Sequence, residues 1–156
     1  MKSFWTYLAT LGPIGYLPAS GTCASFLTLG MVYFLHLLAV SDSVYFFIVV
    51  LGCIVGWIII QKVMNSRDRF DDPSEIVLDE VLGCLLTFWG IPVSAYTLAI
   101  GFILFRIFDI TKIMGIASFE MFFGAWGILL DDLAAGLLSN LFLRILLFLF
   151  LYDYLL

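Results

Sequence analysis

Two long apolar runs constrain this chain more than any other feature. They occupy residues 23–40 and 43–60 and are joined only by the short segment SDS. Each is about long enough to cross a hydrocarbon core of roughly 30 Å as a helix rising 1.5 Å per residue. The runs therefore predict a transmembrane helical hairpin. Gly52 and Gly56 in the second run have a spacing that lets a neighbouring backbone approach closely.

The composition supports a membrane location for the whole chain. Of the 156 residues, 63% are hydrophobic and only 12% are charged. We therefore expect an all-α, polytopic membrane helix bundle forming a single domain over residues 1–156. The formal net charge of -5 argues against a nucleic-acid partner. The N-terminal stretch is broken by Gly and Pro and lacks a long apolar core, so we expect the first span to direct insertion.

The polar segment at residues 61–75 indicates the orientation of the hairpin. It carries three basic residues, Lys62, Arg67 and Arg69. Short loops rich in Lys and Arg stay in the cytoplasm. The segment and the N-terminus are therefore both predicted to be cytoplasmic.

A third apolar run, at residues 81–105, is interrupted by WGIP. Pro92 lacks a backbone N–H and disfavours helix at the residue before it. We therefore predict two shorter helices, 77–89 and 94–107, that dip into the membrane and return. Such a turn is tolerated at membrane depth only where protein covers it. A final helix is predicted at residues 128–152.

Two pairs of adjacent acids precede apolar sequence: Asp79 with Glu80, and Asp131 with Asp132. Acids are favourable in the first turn of a helix, so the pairs could simply mark helix starts. However, small residues follow each pair one turn later, namely Gly83, Ala135 and Gly136. Residues at this spacing share a helix face, which would leave room for a ligand beside each pair. Asn140 and Arg144 continue a polar line that should face the bundle.

These acids predict a site for a hard cation. Mg²⁺ prefers oxygen ligands and usually keeps water and substrate phosphate oxygens in its shell. The segment FRIFDITK adds a carboxylate and two cations within two turns: Arg106, Asp109 and Lys112. Carboxylates, a metal and cations at the cytoplasmic face suggest phosphoryl chemistry on a lipid head group. The carboxylates of Asp79, Glu80, Asp109 and one acid of the second pair should then lie about 4 to 8 Å apart.

Four sequence blocks resemble the phosphatidylglycerophosphatase A family, whose members dephosphorylate phosphatidylglycerophosphate. The blocks occur in the family's order: LPASGTCAS, EIVLDEVLG, FRIFDITK and GILLDDLAAG. They cover roughly residues 11–140. The resemblance implies a Mg²⁺-dependent enzyme of phospholipid synthesis in the bacterial inner membrane, with its active site at the cytoplasmic face.

The resemblance also implies roles for residues that match the family's blocks. Catalytic roles go to Asp79, Glu80, Asp131 and Asp132, and metal binding to these four with Asp109. Binding of the substrate phosphate goes to Gly21, Thr22, Ser25, Arg106 and Lys112, while Gly83 and Gly136 match conserved glycines of the blocks. Whether water or an aspartate attacks phosphorus is left open, as are the number of metal ions and the oligomeric state.

The chain also departs from the family's pattern in two blocks. Ser20 and Ala24 stand where the family usually has proline and glycine, and KIMG replaces Lys-Pro-x-Pro. The loop after Lys112 is therefore expected to be placed differently. A function of another class is a small helical carrier or ion-pathway protein, because intramembrane acids also line such routes. That alternative predicts acids spread through the membrane depth.

Overall fold

The computed structural model describes residues 4–66, 74–113, 116 and 124–155, and the side chains among these up to residue 149. Within these ranges all regular secondary structure is helical, as predicted. The helices are α1 (Phe4–Ala9), a 3₁₀ turn (Ile14–Tyr16), α2 (Ser20–Leu37), α3 (Asp42–Met64), α4 (Leu78–Thr87), α5 (Ala95–Thr111) and α6 (Ala125–Leu155). Arg67 and Arg69 of the polar loop and most of the connector at 115–127 lie outside the described residues.

The predicted hairpin is confirmed as α2 and α3. Among the described residues, α2, α3 and residues 125–149 of α6 are long and apolar enough to cross a membrane. The chain turns between α2 and α3 through Ala39, which has a positive φ of 51°. Ser41 caps α3 by accepting a hydrogen bond from the Val44 amide. A side-chain cap of this kind satisfies one of the amides that a helix start leaves unpaired.

Helix α4 forms the centre of the bundle and packs against α2, α3 and α6, with α5 at one side. Its sequence, LDEVLGCLLT, is apolar on every face after its first turn, and residues 81–87 are all buried. A helix that is apolar all round must be enclosed by other elements. At ten residues α4 is about 15 Å long, too short to span a bilayer.

The break predicted at WGIP is present, with helix ends a few residues away from those expected. Helix α4 ends at Thr87 and α5 begins at Ala95, whereas the predicted helices ended at 89 and began at 94. Gly90 turns the chain with a φ of 64°, and Ser94 opens α5 with a capping box to Thr97. The start of α4 and the end of α5 both lie beside the first turn of α2, because Glu80 and Arg106 both approach Gly21. The path of the pair through the bilayer stays a prediction.

Two polar side chains of α6 cover the carbonyl groups at the break. The Asn140 amide donates to the carbonyl oxygens of Thr87 (2.8 Å) and Trp89 (2.9 Å). Arg144 donates to Trp89 O (2.7 Å) and to Asn140 Oδ1 (2.8 Å). These bonds satisfy carbonyls that α4 leaves free at its C-terminus, where a positive charge is also favourable. The polar line predicted along α6 therefore does face the bundle.

We expect Asn140→Leu to destabilise the bundle more than an exposed substitution on the same helix does. Leucine would leave the buried Thr87 carbonyl oxygen without its donor and Arg144 Nε without its acceptor, while Trp89 O keeps Arg144; the expected cost is about 1–3 kcal/mol. Melting curves in detergent for Asn140→Leu and for the apolar control Leu141→Ala, at an exposed position of the same helix, would check this. Equal melting temperatures for wild type and Asn140→Leu would contradict the covering role.

The glycines after the acid pairs bring two helices together and leave no space for a ligand, so that interpretation was wrong. A Cβ at Gly136 would overlap the carbonyl oxygen of Gly83, and a Cβ at Gly83 would overlap that of Asp132. Helices α4 and α6 therefore cross backbone to backbone at these positions, as small residues allow in membrane bundles. This crossing sets Asp132 of α6 beside Asp79 of α4.

The interpretation of Gly52 and Gly56 also needs correction. They receive side chains of α4 and do not contact a neighbouring backbone. A Cβ at Gly52 would lie 2.9 Å from a Leu82 methyl, and one at Gly56 would lie 2.5 Å from the other Leu82 methyl. The two glycines form a notch in α3 that the Leu82 side chain fills.

Candidate active site

Four helices meet at one end of the bundle, which we call the site end. It comprises the first turns of α2 and α4, the last turns of α5, and the second turn of α6. Every acid of the two predicted pairs lies there. Helix α6 begins at Ala125, three residues before the predicted start, and its first turn contains no acid. Asp131 and Asp132 therefore do not mark the start of α6.

Three carboxylates from two helices form the centre of the site. One oxygen from each of Asp79, Glu80 and Asp132 lies within 4.8 Å of the other two. Asp79 and Asp132 are buried, with 8% and 4% of their surface exposed. Ligands held 2.0–2.1 Å from Mg²⁺ are at most about 4.2 Å apart, so a small rotation of the side chains would close this trio around an ion.

Glu80 joins the trio because Gly21 leaves room for it. A Cβ at Gly21 would overlap Glu80 Oε1 and would lie 3.1 Å from Arg106 Nη1. Adjacent acids on a helix point about 100° apart, so Asp79 and Glu80 need a further feature to converge. The longer glutamate side chain and the missing side chain at Gly21 allow Asp79 and Glu80 to converge.

Arg106 lies beside the trio and is held in place from two sides. Its Nη1 donates to Asp109 Oδ2 at 2.6 Å, one turn along α5, and approaches Ser25 Oγ at 3.5 Å. The Ser25 hydroxyl in turn donates to Gly21 O at 2.7 Å. Asp109 thus orients the guanidinium group of Arg106, and its carboxylate also lies beside that of Asp132, so it adjoins the trio.

Lys112 reaches the site across the end of α5. It ends the helix in a left-handed conformation with a φ of 47°, and its Nζ lies 2.5 Å from Asp131 Oδ2. Asp131 Oδ1 also accepts a hydrogen bond from the Asp132 amide. The missing prolines therefore do not displace Lys112 from the site. Asp131, like Asp109, is paired with a cation and stands outside the trio.

Several polar atoms in the site are buried without a hydrogen-bond partner. Within the described part of the chain these include Asp79 Oδ1, Glu80 Oε2 and Arg106 Nε. Buried polar atoms are nearly always paired, so each unpaired atom indicates a missing ion, water or ligand. The two unpaired carboxylate oxygens could bind a cation, and the unpaired Arg106 N–H beside them could bind an anion such as a phosphate.

The charge of the site also indicates that a cation binds there. Five carboxylates (Asp79, Glu80, Asp109, Asp131 and Asp132) surround two cationic groups (Arg106 and Lys112). Among the described residues the close ion pairs join Arg106 to Asp109 and Lys112 to Asp131, so five carboxylates share two cationic groups and the site has an excess of acids. Buried charges of like sign are costly unless a counter-ion neutralises them.

The remaining predicted residues also lie at the site end. Thr22 is half-buried on the first turn of α2, next to Gly21. Cys84 is a free, fully buried core residue of α4 that packs behind Ser25, since its Sγ donates to Ser25 O at 3.6 Å.

Comparison with known proteins places these features in a family. A family model described as Phosphatidylglycerophosphatase A matches residues 7–147. Phosphatidylglycerophosphatase A of Escherichia coli is 30% identical over 142 residues, covering 89% of this chain and 81% of that protein. A putative phosphatidylinositol-3-phosphatase of Bacteroides thetaiotaomicron is 37% identical over 79 residues, and the match spans about half of each chain. No solved structure matches the chain.

The family match covers the four sequence blocks and all four helices that contribute to the site. It therefore supports an enzyme, rather than a carrier or an ion pathway, for this arrangement of acids. The chain belongs to the phosphatidylglycerophosphatase A family and is a membrane-embedded lipid phosphatase.

Proposed function

We propose that the protein hydrolyses the terminal phosphate monoester of phosphatidylglycerophosphate, giving phosphatidylglycerol and inorganic phosphate, and that it requires Mg²⁺. The observation that carries this proposal is the buried trio of Asp79, Glu80 and Asp132 beside Arg106. The name of the Escherichia coli relative supports the choice of substrate.

The donor set of the trio favours Mg²⁺ over softer metals. All three members supply carboxylate oxygen, and no histidine or cysteine joins the cluster among the described residues. Hard cations such as Mg²⁺ select oxygen ligands, whereas zinc sites usually include nitrogen or sulfur. Asp79, Glu80 and Asp132 would hold the ion, which would supply charge neutralisation and a more acidic bound water.

Arg106 and Lys112 provide the contacts for the phosphate. Arg106 Nε is buried and unpaired, so it is the donor available to a phosphate oxygen, while Asp109 holds the guanidinium group in place. Asp131 orients the Lys112 ammonium in the same way. Fixed cationic donors stabilise charge that develops on the phosphoryl oxygens during transfer, and they need no reorganisation at that moment. Over the whole reaction an oxygen atom from water becomes bonded to phosphorus, the bond from phosphorus to the glycerol oxygen breaks, and the glycerol oxygen leaves as an alcohol with a proton from that water.

The basic residues support a cytoplasmic position for the site end. Lys62 lies in the last turn of α3. The same end of α3 contacts the start of α6, since Gln61 Oε1 accepts from the Ala125 amide at 3.3 Å. The positive-inside rule puts this end of α3 in the cytoplasm. The trio would then open toward the cytoplasmic face of the bacterial inner membrane, where the family match suggests that the protein resides.

Phosphate release from purified protein in detergent tests the proposal. We expect phosphatidylglycerophosphate to be hydrolysed with Mg²⁺, hydrolysis to stop with EDTA, and excess Mg²⁺ to restore it. Ca²⁺ should support much less turnover, because it prefers longer bonds and a higher coordination number than a site built for Mg²⁺ offers.

Phosphatidylinositol 3-phosphate serves as the comparison substrate, because the Bacteroides relative is named for it. Faster phosphate release from that lipid would change the head group that we propose for the substrate, but it would still support phosphatase activity. Undiminished release in EDTA would remove the metal from the proposal. Absence of release from every phosphomonoester lipid would refute the function.

A further inference from the structure

A phospholipid must reach the buried trio while its acyl chains stay in the bilayer, and this requires an opening between helices at membrane depth. Four helices surround the site: α2, α4, α5 and α6. Helix α4 is enclosed by the others, and α6 packs closely against both α4 and α5. The boundary between α2 and α5, which we call the α2–α5 seam, has few contacts and faces outward.

The α2–α5 seam begins at the phosphate-binding residues. At its polar end, Arg106 of α5 faces Ser25 of α2. Phe102, one helical turn before Arg106 on α5, meets Phe26, the residue after Ser25 on α2, edge to face with the ring centroids 6.3 Å apart. Phe26 is 69% exposed, so this ring pair forms part of the outer surface. The buried guanidinium group and the apolar outer surface therefore adjoin directly.

An open notch follows the ring pair on α2. Gly30 lies one turn beyond Phe26, and a Cβ at Gly30 would meet no heavy atom within 4 Å. The exposed rings of Phe26 and Phe34 flank this position on the same face of α2. An apolar path thus leads from Arg106 past Phe26 and Phe102 to the space at Gly30, in the direction from the polar site end into the hydrocarbon region.

We propose that the α2–α5 seam holds an acyl chain of the phospholipid whose phosphate is bound at Arg106. This inference rests on the proposed function and adds the part of the substrate that the carboxylate site does not contact. An acyl chain is the occupant that fits, because it is apolar and flexible and is covalently joined to the phosphorylated head group.

A larger apolar groove competes for this role. It has a volume of about 510 Å³ and lies between α3 and α6, lined among others by Val49, Val50, Cys53, Leu133 and Leu137. On α6 these lining residues are on a different face from Asp131, which points to Lys112 of α5. The groove lacks the direct connection to Arg106 that the α2–α5 seam has.

Filling the notch tests the proposal without disturbing the site. Gly30→Phe adds a ring into open space on an exposed helix face, so the bundle should stay folded. We expect the KM for long-chain phosphatidylglycerophosphate to rise about tenfold, the effect of losing contact with a few methylene groups. The kcat should change little. Hydrolysis of the acyl-free head group, glycerophosphoglycerophosphate, should also be unchanged.

Val50→Phe is the matched control, because it places the same ring in the competing groove. A higher KM for Val50→Phe with an unchanged KM for Gly30→Phe would overturn the proposal. So would equal losses on the acyl-free compound in Gly30→Phe, because the ring would then act through the site and not through the acyl chain.

Photolabelling gives a readout that does not depend on turnover. Phosphatidylglycerophosphate with a diazirine on one acyl chain should label residues 26–34 of α2 or 98–105 of α5, and unlabelled phosphatidylglycerophosphate should compete with this labelling. Competable labelling confined to α3 and α6 would overturn the proposal. If wild type hydrolyses neither compound, the proposed function fails, and the competable label alone then decides whether the seam binds the lipid.

Discussion

Asp132→Asn should lower phosphate release by about 100-fold or more, the usual effect of removing one group that stabilises charge in a transition state. Asparagine keeps the size of the side chain but removes one of the three negative charges of the trio. Both the affinity for Mg²⁺ and the neutralisation of the phosphoryl oxygens should fall. The measurement is the rate of release against Mg²⁺ concentration for the purified variant and wild type.

The stability of Asp132→Asn should change in the opposite sense to its activity. Without a cation the trio repels itself inside the bundle, so removing one charge should leave the melting temperature in EDTA unchanged or raise it. Ion binding stabilises only the folded state, so Mg²⁺ should raise the melting temperature of wild type more than that of the variant.

Asp42→Asn is the control for Asp132→Asn, since Asp42 lies in the first turn of α3, at the end of that helix away from the site. An acid that only favours a helix start contributes about 0.3–1 kcal/mol. We expect that small loss for Asp42→Asn, with full activity. Full activity of folded Asp132→Asn at low Mg²⁺ would exclude Asp132 from the site and make Asp131 the better candidate.

The sequence predicted the fold best where its signals are local. Long apolar runs and the SDS segment are sufficient for the α2–α3 hairpin, and Pro92 is sufficient for a break between α4 and α5. It was also predictable that other parts of the protein would cover this break, because the backbone of a turn at membrane depth needs polar partners from the protein. That Asn140 and Arg144 supply them depends on the register of α6 against α4, which no local pattern determines.

The site was predictable as a group of residues but not in its internal arrangement. Carboxylates separated by some fifty residues were expected to converge, and Asp79 and Asp132 do so. Glu80 was also expected to join them, but the reason that it can, the missing side chain at Gly21 across the bundle, is visible only in the structure. The Arg106–Asp109 pair has the local spacing of one turn within α5, whereas the Lys112–Asp131 pair forms only once α5 and α6 are in place and could not be predicted locally.

Three glycines show most clearly what could not be predicted from the sequence alone. Gly21, Gly30 and Gly136 each lie in a helix of a membrane bundle, yet their surroundings differ completely. Gly21 makes room for a flexible side chain, Gly30 borders open space, and Gly136 lies against a backbone. Spacing relative to the acids suggested room for a ligand at Gly136, and only the packing of α4 on α6 reveals the helix crossing.

Gly136→Ala should therefore disrupt the bundle, whereas Gly30→Ala should not. A Cβ at Gly136 would overlap the carbonyl oxygen of Gly83, and neither backbone can yield without separating α4 from α6. Overpacking of this kind costs about 1–3 kcal/mol or more, and the separation would also move Asp132 away from Asp79. We expect a lower yield of monodisperse protein in detergent, a lower melting temperature, and lost activity in the fraction that folds. Gly30→Ala gains helix propensity of about 1 kcal/mol and meets no atom, so its melting temperature should be equal or higher. Wild-type stability and activity in Gly136→Ala would show that α4 and α6 do not cross at these glycines, and the position of the trio would then have no structural basis.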